Sequence, residues 1–170
     1  MELVELSELS EEDWVALVAG EEHPWGALGE GLQWGEKDRY IALRGPGGRL
    51  VAVAGAVVAR VTPQHGAAFD VAGLGSLFVT REQRGARLMD RLVLPLLEIA
   101  RGLGPELAML FCNPQLLPLY ERLGFSEITA HVRVEQPGGS VEMPMRAMWL
   151  ALREGAAWPA GPLHVHGLPF

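Results

Sequence analysis

Leu77-Phe78-Val79-Thr80-Arg81-Glu82-Gln83-Arg84-Gly85-Ala86-Arg87-Leu88-Met89 is the stretch whose reading decides the fold. An apolar strand end runs into a short polar turn holding Arg84 and Gly85, and an apolar-periodic helix opens behind it. The first N–H groups of a helix have no partner inside it and sit at the positive end of its dipole, so such a junction can hold a phosphate or pyrophosphate. A single Gly-containing turn is a weak motif, and many helices begin this way without binding anything. The rest of the chain has to decide.

Downstream, Leu88, Leu92, Leu96 and Ala100 form one stripe with Met89, Val93 and Leu97 beside it, which predicts an amphipathic helix buried on that face. Pro95 inside it removes a backbone bond and should bend it. Gly102 and Gly104-Pro105 end it. Leu107 to Phe111 reads as a short buried strand, and Asn113-Pro114 opens a helix through Leu116, Leu117, Leu119, Tyr120 and Leu123 that stops at Gly124. Phe125 to Val134 and Val141 to Leu150 read as a last strand pair joined through Pro137-Gly138-Gly139. Residues 151–170 read as a tail, rich in Pro, Gly and Ala, that packs on the domain or on a partner. It holds Trp158, His164 and His166; the two histidines have metal-like spacing but by themselves carry no metal assignment.

Upstream, Phe69 to Val79 is a strand with Gly73 and Gly75 inside it, residues that mark a bulge or a close approach by another group. Tyr40 to Leu43 and Leu50 to Val61 are strands joined by the hairpin turn Gly45-Pro46-Gly47-Gly48. The second is apolar on both faces and belongs inside the sheet. Leu3, Val4 and Leu6 make a first strand, and Ser10 with Glu11, Glu12 and Asp13 starts a capped helix whose apolar face is Trp14, Leu17 and Val18. From Glu21 to Glu36 the pattern breaks up around Pro24 and several glycines, with Trp25 and Trp34 among acids such as Glu21 and Glu22. That segment is either a loop pinned by its tryptophans or a lid that binds an acceptor.

A chain of 170 residues with 49% hydrophobic content fits one domain, placed here at 1–150 ahead of the tail. A net charge of -7 argues against nucleic acid or an anionic membrane as the main partner and suits a cationic one. Cys112 is the only cysteine, so an internal disulfide and a cysteine metal cluster are excluded. No basic segment leads into an apolar run at the start, and no apolar run is long enough to span a bilayer, so a cytoplasmic protein is expected.

The order of elements resembles the GNAT superfamily of acetyl-CoA-dependent N-acetyltransferases, and two local matches carry the resemblance. Val79-Thr80-Arg81-Glu82-Gln83-Arg84-Gly85 looks like the end of that family's central strand running into its Arg/Gln-x-x-Gly-x-Gly/Ala loop. Asn113-Pro114-Gln115-Leu116-Leu117-Pro118-Leu119-Tyr120-Glu121-Arg122-Leu123-Gly124-Phe125 is similar to its C-terminal signature, in which an Asn precedes Tyr-x-x-x-Gly-Phe. The resemblance implies an α/β (α+β) fold, a central mixed β-sheet flanked by helices, with acetyl-CoA as cosubstrate and no metal.

It also implies roles. Backbone groups of Leu77 and Val79 would hold the pantetheine arm and thioester carbonyl, and N–H groups of Arg84, Gly85, Ala86, Arg87, Leu88 and Met89 the pyrophosphate. Tyr120 would be the general acid for the departing thiolate. Asn113 would touch the cofactor or serve as an N-cap. The chain departs from the pattern at Arg87 and Met89, where the family has Gly and Gly or Ala; side chains there obstruct the pyrophosphate, or Arg87 adds its own charge to it. Relatives project a base from the central strand, but counting back from Val79 those positions fall on Gly73 and Gly75. Asp70 and Ser76 have the wrong parity unless a bulge intervenes. Glu21, Glu22, His23 and Glu142 remain, and an amine arriving neutral needs no strong base. The expected function is acetyl transfer to a small, cationic amine contacted by Glu21, Glu22, Trp25 and Trp34. A catalytically silent acyl-CoA-binding or oligomer-supporting module, and peptide or protein acetylation, are the alternatives. A homodimer is compatible with either.

Overall fold

The computed structural model describes residues 1–170. In chain order the elements are β1 (Glu2–Leu6), α1 (Glu11–Leu17), β2 (Arg39–Arg44), β3 (Leu50–Pro63), β4 (Phe69–Val79), α2 (Leu88–Gly102), β5 (Leu107–Cys112), α3 (Leu117–Arg122), β6 (Ser126–Ile128), β7 (Val132–Gln136), β8 (Gly139–Glu142), β9 (Arg146–Ala151) and β10 (Leu163–His166). One mixed sheet holds every strand, in the order β6-β9-β5-β4-β3-β10-β7-β8. β4/β5 and β10/β7 are its parallel pairs. One edge of β3 is shared: its first half pairs with β2, which carries β1, and its second half with β10.

The stripe read from α2 is its buried face. Leu88, Leu92, Val93, Leu96, Leu97 and Ala100 pack with Ala52, Ala54, Ala56, Ala72 and Leu74 of β3 and β4. Small residues on the sheet let the helix lie close, and each large side chain so buried is worth roughly 1.5–3 kcal/mol. On the opposite side α1 seats Leu17 against Val53 and Phe78. Ser10 caps α1 by accepting the N–H of Asp13.

Two expectations are corrected. The last strand pair is four strands, because β6 pairs with β9 while β7 pairs with β8 and β10, so the chain changes partners between Ile128 and Val132. The helix expected from Asn113 is a 3₁₀ turn at Pro114–Leu116 followed by α3, with Pro118 inside the first turn of α3. In the last twenty residues, β10 runs between β3 and β7.

β4 carries the feature that positions the site. Its register against β3 shifts between Val53/Gly55, and Ser76 sits there at φ 52, a left-handed conformation. A bulge at Ser76 reverses side-chain parity. Before it, Ala72 and Leu74 face α2 and Val71 faces the other way; after it, Leu77 and Val79 face α2 and Phe78 turns away. β4 and β5 are paired only from Ala72↔Ala108 to Leu74↔Leu110, so they part beyond that point.

Candidate active site

Where β4 and β5 part, two hollows meet. The first, about 400 Å³, is lined by Leu77, Phe78, Val79, Gln83, Arg84, Gly85, Arg87, Leu88, Met89 and Tyr120. Most of the residues quoted at the outset therefore line one groove. Gly85 has φ +85 with open space where a Cβ would stand, and Arg87 takes the same left-handed conformation at φ 54. The N–H groups of Gly85, Arg87, Leu88 and Met89 find no backbone acceptor, whereas Ala86 donates to Gln83 and Arg84 to Arg81. Unpartnered donors at the head of a fifteen-residue helix form an anion cradle.

The side chains around the cradle are arranged to leave it open. Arg87 is exposed and pairs with Asp90 at 3.2 Å, and Asp90 also pairs with Arg122 at 3.1 Å. Met89 packs against the core beside Leu88. Arg84 lies over the Phe78 ring and donates to the Val79 carbonyl at 3.2 Å. Its Nη2 is 2.7 Å from Glu21, in an ionic contact outside hydrogen-bond geometry. Glu21 thus ties the Glu21–Glu36 segment to the loop rather than facing an acceptor.

The second hollow is a partly enclosed cavity of about 90 Å³ lined by Trp25, Trp34, Lys37, Gly75, Ser76, Leu77, Phe111, Cys112, Asn113, Tyr120, Met145 and Phe170. Tyr120, Leu77, Pro24 and Leu116 line both hollows and form the wall between them. Tyr120 is 3% exposed, and its ring meets Phe125 edge-on at 5.7 Å. Burial, then the neighbouring Cys112, pushes its phenol well above the usual value, so it is protonated at neutral pH. Cys112 is buried too; loss of solvation, with Glu127 adding to it, pushes its thiol up to about 11, which leaves no thiolate nucleophile.

Asn113 stands at the start of the 3₁₀ turn but makes no side-chain cap; its Nδ2 donates to the Trp25 carbonyl at 3.0 Å. Trp25 stacks on Trp14 at 5.2 Å and leans on Trp34 at 6.0 Å. The Trp34 indole N–H is buried without an acceptor. Glu22 and His23 lie beyond these tryptophans, in a surface hollow. Glu142 pairs with His131 and Asp70 with Arg60, both away from the cavity. Of the strand-base positions, Gly75 and Ser76 both line the cavity, Ser76 brought there by the bulge, while Asp70 lies elsewhere.

Lys37 and Phe170 were not anticipated from the sequence. A Cβ on Gly73 would stand 2.5 Å from the Phe170 ring, and one on Gly75 would strike Phe170 backbone and lie 2.9 Å from Lys37 Cε. The two glycines are therefore bare because Phe170 and the lysine stem occupy the space. Lys37 is 8% exposed, and its Nζ donates to the Gly35 carbonyl at 2.6 Å. Loss of solvation lowers its pKa from 10.5 to about 8. It is the only lysine in the chain, which is the one signal that could have singled it out. The largest hollow, about 670 Å³, shares no residue with this site and lies by Pro63, Gly104 and Pro159.

Solved structures share this architecture. A GNAT family N-acetyltransferase (YhbS) from Escherichia coli in complex with CoA is 19% identical, with a TM-score of 0.63 over 99% of this chain and 95% of that one. A putative acetyltransferase, yncA, from Salmonella typhimurium with its cofactor acetyl-CoA is 18% identical, with a TM-score of 0.55 over 94% and 99%. The ribosomal-protein-S18-alanine N-acetyltransferase from Escherichia coli is 20% identical, with a TM-score of 0.57 over 92% and 100%. No curated protein sequence matches the chain. The Acetyltransferase (GNAT) family model matches residues 3–125, from β1 through the Tyr120 signature to Phe125, and the chain belongs to that family.

Proposed function

We propose that the protein transfers an acetyl group from acetyl-CoA to the primary amine of a small acceptor by direct attack. The observation that carries this reading is the wall formed by Leu77 and Tyr120 between an anion cradle and a partly enclosed cavity. The cradle N–H groups of Gly85, Arg87, Leu88 and Met89 fit a pyrophosphate, and the unpaired end of β4 offers backbone groups of Leu77 and Val79 to a pantetheine arm. Acetyl-CoA supplies the activated acyl group as a thioester. Tyr120, a phenol protonated at neutral pH and standing in the wall between the two hollows, gives its proton to the departing thiolate.

Lys37 fills the place of the strand base. Its charge disfavours an ammonium ion beside it, so the acceptor amine enters as the free base. With a pKa of about 8, the neutral fraction of Lys37 can take the proton the amine loses. The acidic surface and the cavity thus act in succession: a net charge of -7 draws a cationic acceptor to the protein, and the buried charge of Lys37 selects its neutral form for entry. A volume of about 90 Å³ suits the head of a small amine.

Calorimetry with acetyl-CoA and thiol release over a panel of amines test the reading. Saturable binding and turnover are expected. No heat at millimolar acetyl-CoA would remove acyl-CoA binding altogether, and binding without thiol release on any amine would leave a catalytically silent acyl-CoA-binding module.

A further inference from the structure

Outside the residues that line the two hollows, the outer face of the sheet brings together three side chains from two strands distant in the chain. Glu135 comes from β7, and His164 and His166 from β10. Alternate residues of a strand share a face, so the two imidazoles project side by side, with ring centroids 4.9 Å apart. Glu135 Oε1 is 3.3 Å from His164 Nε2 and 3.9 Å from His166 Nδ1. All three atoms lie within 4.8 Å of one another. Metal–nitrogen and metal–oxygen bonds of about 2.0–2.2 Å at tetrahedral angles place ligand atoms about 3.4 Å apart.

The atoms that do not face the centre are held from outside. His166 Nε2 is 2.7 Å from Thr62 Oγ1; as donor to that hydroxyl, it leaves the Nδ1 lone pair directed at Glu135 and His164. The other oxygen of Glu135, Oε2, accepts the Gly167 N–H at 2.9 Å. Metal-binding imidazoles and carboxylates are characteristically oriented by such outer hydrogen bonds. The two guanidiniums next in register are engaged elsewhere: Arg133 with Ser140, and Arg60 with Asp70. No cation occupies the space between the imidazoles and the carboxylate through these arginines.

We propose that Glu135, His164 and His166 bind one divalent transition-metal ion of the zinc class, with water completing the coordination. Two nitrogen ligands and one carboxylate suit zinc, and the half-exposed side chains give the ion a path from solvent. The ion would act structurally. β10 meets β7 over only two register pairs, and a metal bridging them would clamp β10 in place. Four residues beyond His166 the chain reaches Phe170, which walls the cavity. Any effect on turnover rests on the function proposed above; the binding of the metal does not.

The test uses chelator-treated, tag-free protein and Zn²⁺ or Co²⁺ alone. Calorimetry should give one equivalent bound, Co²⁺ should develop a visible ligand-field spectrum, and Zn²⁺ should raise the Tm. His164→Ala and Glu135→Gln should each weaken binding at least about tenfold. Thr62→Val, which touches no metal, should weaken it less and alter the Co²⁺ spectrum, while His131→Ala should leave it unchanged. No saturable binding at millimolar Zn²⁺ would overturn the proposal, and so would undiminished binding in His164→Ala and Glu135→Gln. Because acetyl-CoA calorimetry is independent of these readings, failure here leaves the acetyltransferase reading standing, and the reverse also holds.

Discussion

The groove at the head of α2 and the cavity behind Leu77 share one wall and are built on opposite plans. The groove takes most of its lining from one run, Leu77 to Asp90, is rimmed by exposed arginines, and presents unpartnered backbone donors. The cavity draws on the Trp25–Lys37 segment, β4, β5, Met145 and Phe170, is mostly apolar, and holds one buried cation. A site that grips a phosphate needs geometry that a single turn can supply. A site that must shed water and tune a proton needs walls from every side. The contrast teaches that the two partners of the reaction meet different physics: charge matched to a helix terminus on one side, and desolvation on the other.

Tyr120→Phe attacks the wall common to both and carries the largest expected effect. It removes the proposed proton donor while keeping the ring on Phe125, so kcat should fall about 10²–10⁴-fold with acetyl-CoA affinity nearly unchanged. Equal rates in the variant would take Tyr120 out of the chemistry. Gly75→Ala then strikes the cavity alone. Its Cβ has no room beside the Phe170 backbone and Lys37, so the chain end at Phe170 should be displaced at a cost of about 2–4 kcal/mol in urea unfolding. Acetyl-CoA binding in the folded variant should persist. Gly102→Ala, which meets nothing within 4 Å, is the control that should not destabilise.

The same contrast sets how much could be read from the sequence. The groove was legible because its parts are consecutive, and the α2 stripe and the Asn113 to Phe125 signature placed it in the right fold. The cavity was not. Counting parity back from Val79 put Gly73 and Gly75 at the place of a base and excluded Ser76, but the bulge at Ser76 breaks the alternation and brings that serine to the cavity beside Gly75, and no local pattern announces a single left-handed serine. Phe170 reaches those glycines from nearly a hundred residues away, beyond any periodicity. Glu21 was expected at an acceptor because acids attract amines; it pairs instead with Arg84, the nearer cation. Cross-segment pairings of this kind are decided by packing, which composition does not encode.

Lys37→Met sharpens the cavity's side of the comparison through pH. Burial depresses the folded pKa from 10.5 to about 8, so the folded state holds its proton less tightly than the unfolded state. Below about pH 8 both states are charged and the full penalty applies; as pH rises from about 8 to 10.5 the penalty is lost and stability recovers. Replacing the lysine should therefore stabilise the protein by about 1–3 kcal/mol at pH 7, with the gain shrinking toward pH 10.5. Activity should move the other way. With a weakly basic acceptor, kcat/KM of the unaltered protein should rise through about pH 8 and level off, and Lys37→Met should be slower and lose that limb. A variant that keeps the limb would assign it to another group.

Arg87→Gly is the smallest change and the one that asks whether the groove follows backbone or side chain. An L-residue held at φ 54, ψ 32 is strained by about 1–2 kcal/mol, which glycine relieves while adding freedom to the unfolded chain. The lost pair with Asp90 matters little, since the guanidinium is exposed and Asp90 keeps Arg122. Net stability should rise by less than about 1 kcal/mol. The cradle N–H groups stay where they are, so acetyl-CoA should still bind, weakened about three- to tenfold by the loss of one charge and with a shallower dependence on salt. Tighter binding in the glycine variant would mean that Arg87 obstructs the phosphates it stands beside, and the groove would then read as backbone alone.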